Sequence, residues 1–124
     1  LKSVEQNELE NYLILDVRAQ EEYEVSHIPG AVQVNPESTE FDESILNSEK
    51  PVLVYCSVGL RSEKLGERLQ QANPDLKVYN LNGGIFQWSN QEKKLVDNTE
   101  QPTKSVHTYN AAWSFWVSKG EKVY

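Results

Sequence analysis

Short apolar runs are separated along the chain by stretches of mixed polarity, a pattern typical of buried strands between helices. Residues 12–16, 31–34 and 77–81 form three compact runs. A fourth run, Val52–Tyr55, follows Pro51 and is apolar at every position. A strand without polar alternation is expected where a parallel sheet is covered on both faces. The pattern therefore predicts a mainly parallel sheet built from these runs.

Helical spacing separates the predicted strands. From Ser62 onward an apolar stripe recurs every three to four positions and consists of Leu65, Leu69 and Ala72. Asn73-Pro74 ends this pattern. Shorter helices are predicted at residues 3–10, 19–25, 40–47 and 85–88. Strands that alternate with helices over about 90 residues predict an α/β fold, with an open, mainly parallel sheet and helices on both faces.

The carboxyl-terminal part of the chain departs from this pattern. Residues 93–106 are polar, and Asp97–Pro102 has the composition of a linker. Residues 107–117 are rich in aromatic side chains. We therefore predict a domain over residues 1–95, followed at residues 96–124 by a polar linker and an aromatic-rich extension. This extension either packs on the domain or binds a protein partner, because exposed aromatic patches are unusual on monomers.

The amino-acid composition argues against several classes of function. The length of 124 residues with 38% apolar residues fits one domain with a single core. A net charge of −7 opposes nonspecific binding to nucleic acid or to anionic membranes, which requires basic patches. No apolar run approaches the length of a membrane span, and the first residues do not resemble a signal peptide. The cytoplasm is the expected location, although the absence of methionine indicates a trimmed start.

The single cysteine, Cys56, directly follows the strongest predicted strand. One cysteine cannot form an internal disulfide, and one cysteine with two histidines makes a structural zinc site improbable. In open parallel sheets, ligands bind beyond the carboxyl ends of the strands. The segment from Cys56 to Arg61 leads directly into the helix predicted from Ser62, and Gly59 permits a loop whose N–H groups curl around the sulfur. Such N–H groups and a helix amino terminus favour a nucleophilic thiolate.

Two other interpretations of this loop are open. Cys56 alone would more often be a buried packing residue. A cysteine-to-arginine loop is also found in cysteine-dependent phosphatases, where Arg61 would bind the anion. Those enzymes carry one residue more between cysteine and arginine, and the four residues here, Ser57–Leu60, make a smaller cradle. A bound sulfur fits that cradle better than a tetrahedral phosphate.

Three blocks resemble the single-domain members of the rhodanese family of sulfurtransferases. The first block extends from Leu15-Asp16-Val17-Arg18 through Glu22-Tyr23 to His27-Ile28-Pro29-Gly30-Ala31. The second is Tyr55–Ser62, and the third is Asn82-Gly83-Gly84-Ile85 with Trp88. Ser26 departs from the family pattern, which usually has glycine there. The resemblance covers about residues 1–95 and leaves the extension outside.

The resemblance implies a rhodanese-like fold and a mechanism. Cys56 would attack a sulfur donor such as thiosulfate or a persulfide, and a thiol or cyanide would accept the sulfur, without a metal or organic cofactor. The residues expected to bind the transferred sulfur follow Cys56 and are Ser57, Val58, Gly59, Leu60, Arg61 and Ser62. Asp16 and Arg18 either support this loop or have ordinary ion-pair roles, such as Arg18 with Glu22. His27 is expected to stabilise a turn. The alternative function is a non-enzymatic interaction or sensing module on the same scaffold.

Overall fold

A four-stranded parallel sheet forms the centre of the computed structural model, which describes residues 4–57, 59–91, 93–97, 99–103, 105–107 and 121–123. The strand order is β2-β1-β3-β4. The strands are β1 Leu13–Asp16, β2 Val32–Gln33, β3 Val52–Tyr55 and β4 Val78–Asn80. A 3-10 helix, Gln6–Asn11, precedes β1. The α-helices are α1 Gln20–Val25, α2 Glu43–Leu46, α3 Leu60–Ala72 and α4 Gly84–Asn90.

Each face of the sheet is covered by its own apolar cluster, because successive strand residues point to opposite sides. On one face, Leu53 and Tyr55 pack with Ile85 and Trp88 of α4. On the other face, the cluster contains residues of β3, α2 and α3, among them Val52, Val54, Ile45, Leu65 and Leu69. This arrangement confirms the predicted α/β class, with a parallel sheet and helices on both faces.

Helix α3 begins earlier than its sequence pattern indicated. The pattern placed the first helical turn near Ser62, but the helix begins at Leu60, immediately after Gly59 at its N-cap. Gly59 has a φ of 116°, in the left-handed region that favours glycine, and it connects the cysteine loop to the first turn of α3. The apolar stripe consists of the buried Leu65 and Leu69, whereas Ala72 is exposed.

The segment predicted to be a linker forms an antiparallel hairpin instead. Its strands are β5 Leu95–Val96 and β6 Pro102–Thr103. The Asp97 carboxylate stabilises the turn by accepting hydrogen bonds from the backbone N–H groups of Thr99 and Gln101, at 2.9 and 3.1 Å. Leu95 and Val96 are buried, so this hairpin is part of the packed structure. The sequence pattern missed it because both strands are only two residues long.

Beyond the hairpin, the backbone of β7 Ser105–His107 pairs in parallel with that of β8 Glu121–Val123. Most of the aromatic-rich extension, residues 108–120, lies outside the described residues. Its packing or binding role and the division of the chain near residue 95 therefore stay predictions. Among the described residues, no helix has the length and apolar character needed to cross a membrane. The cytoplasmic location also stays a prediction.

Candidate active site

Cys56 lies directly beyond the carboxyl end of β3, as the sequence predicted. Its side chain is almost fully buried, with 1% exposed. The Gly59 N–H donates a hydrogen bond to Sγ at 3.1 Å, and the Ser62 hydroxyl lies 3.4 Å from the same atom. Both groups can donate to negative charge on sulfur. The Cys56 sulfur therefore lies beside two hydrogen-bond donors rather than in purely apolar surroundings.

Ser62 is held in turn by Asn80, at the end of β4. The Ser62 hydroxyl lies 2.6 Å from Asn80 Oδ1 and 3.2 Å from the carbonyl oxygen of Gly59. Asn80 Nδ2 donates to that same carbonyl at 3.0 Å. Asn80 thus joins the neighbouring strand to Gly59 and Ser62, the two residues that contact the sulfur.

The amino end of α4 fixes the start of the cysteine loop. The Ile85 N–H donates to the Cys56 carbonyl at 2.9 Å, and the Phe86 N–H donates to the Ser57 carbonyl at 3.2 Å. Gly84 makes this approach possible. A Cβ atom at Gly84 would lie 2.5 Å from each of the two carbonyl oxygens, and its φ is 60°. The helix amino terminus thereby satisfies loop carbonyls as well as its own N–H groups.

Arg61 forms a two-point ion pair with Glu22 of α1. Its two terminal nitrogens lie 2.8 and 3.1 Å from the two carboxylate oxygens, and Nη2 also donates to Ser57 Oγ at 2.8 Å. The Glu22 side chain is 1% exposed, whereas that of Arg61 is 27% exposed. Burial alone would raise the pKa of Glu22, but hydrogen bonding and charge from Arg61 hold it below its ordinary value. Burial would likewise lower the pKa of Arg61, and Glu22 instead keeps it raised.

Asp16 and Arg18 form a second buried pair, so the suggested pairing of Arg18 with Glu22 is wrong. Arg18 Nε and Nη2 donate to the two Asp16 oxygens at 2.8 and 2.7 Å, and Nη2 also donates to the Ser26 carbonyl at 2.6 Å. The Tyr55 hydroxyl donates to Asp16 at 2.6 Å and accepts from the Ile28 N–H. The pair therefore holds the residue that precedes Cys56, and neither Asp16 nor Arg18 has a described hydrogen bond to the loop itself.

His27 lies in a turn rather than beside the sulfur. Its ring stacks on Tyr23 with a centroid separation of 3.8 Å. One ring nitrogen lies 3.0 Å from the Tyr23 carbonyl oxygen and the other 3.2 Å from Glu100. Its backbone also exchanges hydrogen bonds with Val96. These contacts agree with the expected turn-stabilising role and join the turn to the hairpin.

The structure brings most of the predicted loop residues around Cys56, but their roles differ. Gly59 and Ser62 contact the sulfur, whereas Ser57 and Arg61 contact Glu22. The Leu60 side chain is 62% exposed. Val58 lies outside the described residues. Participation of the predicted residues in sulfur binding stays a prediction.

Asn80 and Gly84 had no predicted role, and Glu22 was predicted only as a possible partner of Arg18. Glu22 and Gly84 both belong to the blocks that carried the family resemblance, which was the available signal. Asn80 had no such signal, because a polar residue at a strand end is common. Among the described residues, no group of three or more histidine, cysteine, aspartate or glutamate side chains could hold a metal ion.

Comparison with known proteins agrees with this geometry. The rhodanese-like domain family matches residues 3–91. Thiosulfate sulfurtransferase GlpE of Coxiella burnetii is 36% identical over 76 residues, which cover 61% of this chain and 70% of that protein. The uncharacterized protein YqhL of Bacillus subtilis is 31% identical over 80 residues, covering 64% of this chain and 63% of that protein. A crystal structure of a rhodanese-related protein from Thermoplasma volcanium superposes with a TM-score of 0.65 at 25% identity, covering 77% of this chain and 98% of that one.

Proposed function

This chain belongs to the rhodanese-like domain family, and we propose that it is a sulfurtransferase in which Cys56 carries the transferred sulfur as a persulfide. The observation that carries the proposal is the placement of the Cys56 sulfur. It lies at a strand end and accepts the Gly59 N–H at 3.1 Å, within a loop that α4 fixes. The thiosulfate sulfurtransferase among its relatives supports the same reaction class.

In the first step, the Cys56 thiolate attacks the outer sulfur of a donor. With thiosulfate, a new sulfur–sulfur bond forms at Cys56 as the sulfur–sulfur bond of the donor breaks. The electron pair of the broken bond leaves with sulfite, so the negative charge on the cysteine moves to the outer sulfur of the persulfide. With a persulfide donor, the leaving group is the corresponding thiolate. No external oxidant or reductant is consumed.

In the second step, an acceptor attacks the outer sulfur of the Cys56 persulfide. Cyanide would leave as thiocyanate, and a thiol acceptor would leave as a new persulfide. The electron pair of the broken bond returns to Cys56 as the thiolate. We propose a thiol as the biological acceptor, while a protein partner for the carboxyl-terminal extension is a separate proposal.

The residues around the sulfur suit these steps because they are already in place before a donor binds. Asn80 contacts the Ser62 hydroxyl and the Gly59 carbonyl, and the carbonyls of Cys56 and Ser57 are held by α4. The Gly59 N–H already donates to the sulfur and needs no rearrangement during the reaction, and preorganised donors of this kind are the main source of electrostatic catalysis. The persulfide anion would remain within the same set of donors.

Steady-state turnover tests this proposal. Thiocyanate formation should be measured for the wild type and for Cys56→Ser while thiosulfate or cysteine hydropersulfide is varied at several cyanide concentrations. We expect parallel double-reciprocal lines for the wild type, as covalent catalysis in two half-reactions requires. Cys56→Ser should fall to the uncatalysed rate while its circular dichroism spectrum is unchanged. Turnover by Cys56→Ser, or none by the wild type with either donor, would refute the proposal and favour a binding module.

A further inference from the structure

Arg61 ends the loop that begins at Cys56, and its charge is balanced by Glu22. The guanidinium binds both oxygens of Glu22, and the Glu22 carboxylate is almost inaccessible to solvent. A two-point, charge-assisted pair of this kind is among the stronger side-chain interactions. Ser57, the residue after Cys56, accepts a further hydrogen bond from the same guanidinium. Arg61 is therefore oriented by Glu22 beside the loop.

The second buried pair that the structure describes, Arg18 with Asp16, is also balanced. Arg18 is paired with Asp16, just as Arg61 is paired with Glu22. These four side chains sum to zero formal charge, while the thiolate of Cys56 adds one negative charge. The backbone N–H groups at the site supply partial positive charge, but they would act on any donor. Within the described part of the chain, these two pairs therefore add no net charge that would attract a multiply charged anion.

We propose that Glu22 makes this site selective for persulfide donors over the thiosulfate dianion. The inference rests on the proposed sulfurtransferase function and concerns only which donor that function uses. Attack on thiosulfate brings two further negative charges to the thiolate, whereas attack on an ionised persulfide brings one at the reacting group. Charge repulsion at short range and low dielectric is large, so this difference separates the two donors strongly.

The persulfide step is balanced without a further reactant. The Cys56 thiolate attacks the outer sulfur of the donor, whose sulfur–sulfur bond breaks with its electron pair leaving on the donor thiolate. One thiolate and one persulfide anion enter, and one persulfide anion and one thiolate leave. Glu22 does not contact the reacting atoms in this scheme. It acts through Arg61 and is a specificity-determining residue.

Two substitutions of Glu22 distinguish the effect of its negative charge from the effect of its side-chain shape. Glu22→Gln keeps the size of the side chain but removes the charge that balances Arg61. Glu22→Asp retains the charge on a shorter side chain. Glu21→Gln is the matched control, because it removes the same charge from an exposed neighbour on the same helix. The value of kcat/KM is measured for each protein with thiosulfate and with cysteine hydropersulfide, using cyanide as the acceptor.

The wild type should use cysteine hydropersulfide with a kcat/KM at least about tenfold above that for thiosulfate. Glu22→Gln should shift this ratio toward thiosulfate by about tenfold or more, mainly through a lower KM for thiosulfate. Glu21→Gln and Glu22→Asp should keep the wild-type ratio to within about twofold. A merely structural role for Glu22 would instead lower kcat/KM for both donors by the same factor.

Each of the remaining results would refute either the role proposed for Glu22 or the proposed function. A wild type that prefers thiosulfate refutes the inference without reference to any variant. An unchanged ratio in Glu22→Gln, or an equal shift in Glu22→Asp, shows that the charge of Glu22 does not set the preference. In all of these cases the wild type still transfers sulfur, so the proposed function survives. Failure of the wild type with both donors refutes the proposed function itself.

Discussion

At the scale of single residues, the hydroxyl proton of Ser62 has three acceptors within reach. They are the sulfur of Cys56, the carbonyl oxygen of Gly59 and the side-chain oxygen of Asn80. A serine hydroxyl has one proton, so it can fully satisfy only one of them at a time. The 2.6 Å separation makes Asn80 the preferred acceptor in this state. When the sulfur carries more negative charge, rotation of the hydroxyl toward Sγ becomes more favourable.

Asn80→Ala should slow formation of the Cys56 persulfide, because the loss of positioning at Ser62 and Gly59 outweighs the release of the Ser62 proton. The substitution removes the group that orients Ser62 and also removes the hydrogen bond to Gly59. We expect kcat/KM for the donor to fall about five- to tenfold and the free energy of unfolding to fall by about 1 kcal/mol. Turnover and urea denaturation measure the two effects, with exposed Asn11→Ala as the control. A loss of stability with unchanged kcat/KM would contradict the orienting role.

The sequence predicted the position of the nucleophilic cysteine better than it predicted the residues that hold its loop in place. A lone cysteine between an apolar strand and a glycine-containing loop carries a local signal, and Cys56 lies where that signal placed it. Asn80 is 18 residues from Ser62 along the chain, and their contact depends on the pairing of β3 with β4. The partner of Arg61 was equally non-local, because Glu22 is 39 residues away. Pairwise contacts over such distances are not encoded in local spacing.

At the scale of elements, the junction between α4 and the cysteine loop determines where the loop backbone lies. Two N–H groups of α4 bind two loop carbonyls, and the absence of a side chain at Gly84 allows the approach. Gly30 provides a comparison. It has a φ of 84°, also in the left-handed region, but no atom lies within 4 Å of its hypothetical Cβ.

Gly84→Ala should be much more harmful than Gly30→Ala. Both substitutions place a side chain in the left-handed region, at a cost of about 1–2 kcal/mol. Gly84→Ala adds a clash with loop carbonyls, for which we expect about 1–3 kcal/mol more. It should also reduce turnover by displacing the loop, whereas Gly30→Ala should leave turnover near the wild-type value. Equal effects of the two substitutions on unfolding and turnover would show that the close packing at Gly84 is unimportant.

Element prediction succeeded where apolar runs were long and failed where they were short. Val52–Tyr55 was predicted with its observed bounds, because continuous apolar character is distinctive. The hairpin of β5 and β6 was missed, since a two-residue strand gives no measurable period. The start of α3 was placed two residues late, because the loop residues Leu60 and Arg61 already belong to its first turn. That overlap places the site at a helix amino terminus.

At the scale of the whole molecule, the Glu22–Arg61 pair joins α1 to the first turn of α3. Of the two partners, Glu22 is the one that takes up a proton when the pH is lowered. Its pKa in the folded protein is below its ordinary value, so protonation is harder in the folded than in the unfolded state. The pair therefore stabilises the fold above the unfolded pKa of about 4.3, and this contribution is lost as the pH falls through the folded value.

The difference in unfolding free energy between the wild type and Glu22→Gln should consequently depend on pH. We expect the wild type to have its greatest advantage at neutral pH and to lose that advantage progressively below about pH 4. Denaturant titrations of both proteins from pH 7 to about pH 3 measure this difference, and carboxylates common to both cancel. An advantage that is constant with pH, or that grows in acid, would contradict the assignment of the pair.

Intact mass after exposure to a sulfur donor tests most directly whether Cys56 carries the transferred sulfur. The wild type and Cys56→Ser are incubated separately with thiosulfate and with cysteine hydropersulfide. Each protein is then desalted, and its intact mass is measured by mass spectrometry before and after treatment with cyanide. If Cys56 carries the sulfur, only the wild type gains one sulfur atom, and cyanide removes it as thiocyanate. A wild type that gains no sulfur from either donor, or a Cys56→Ser variant that gains it equally, would contradict the claim that Cys56 carries the sulfur.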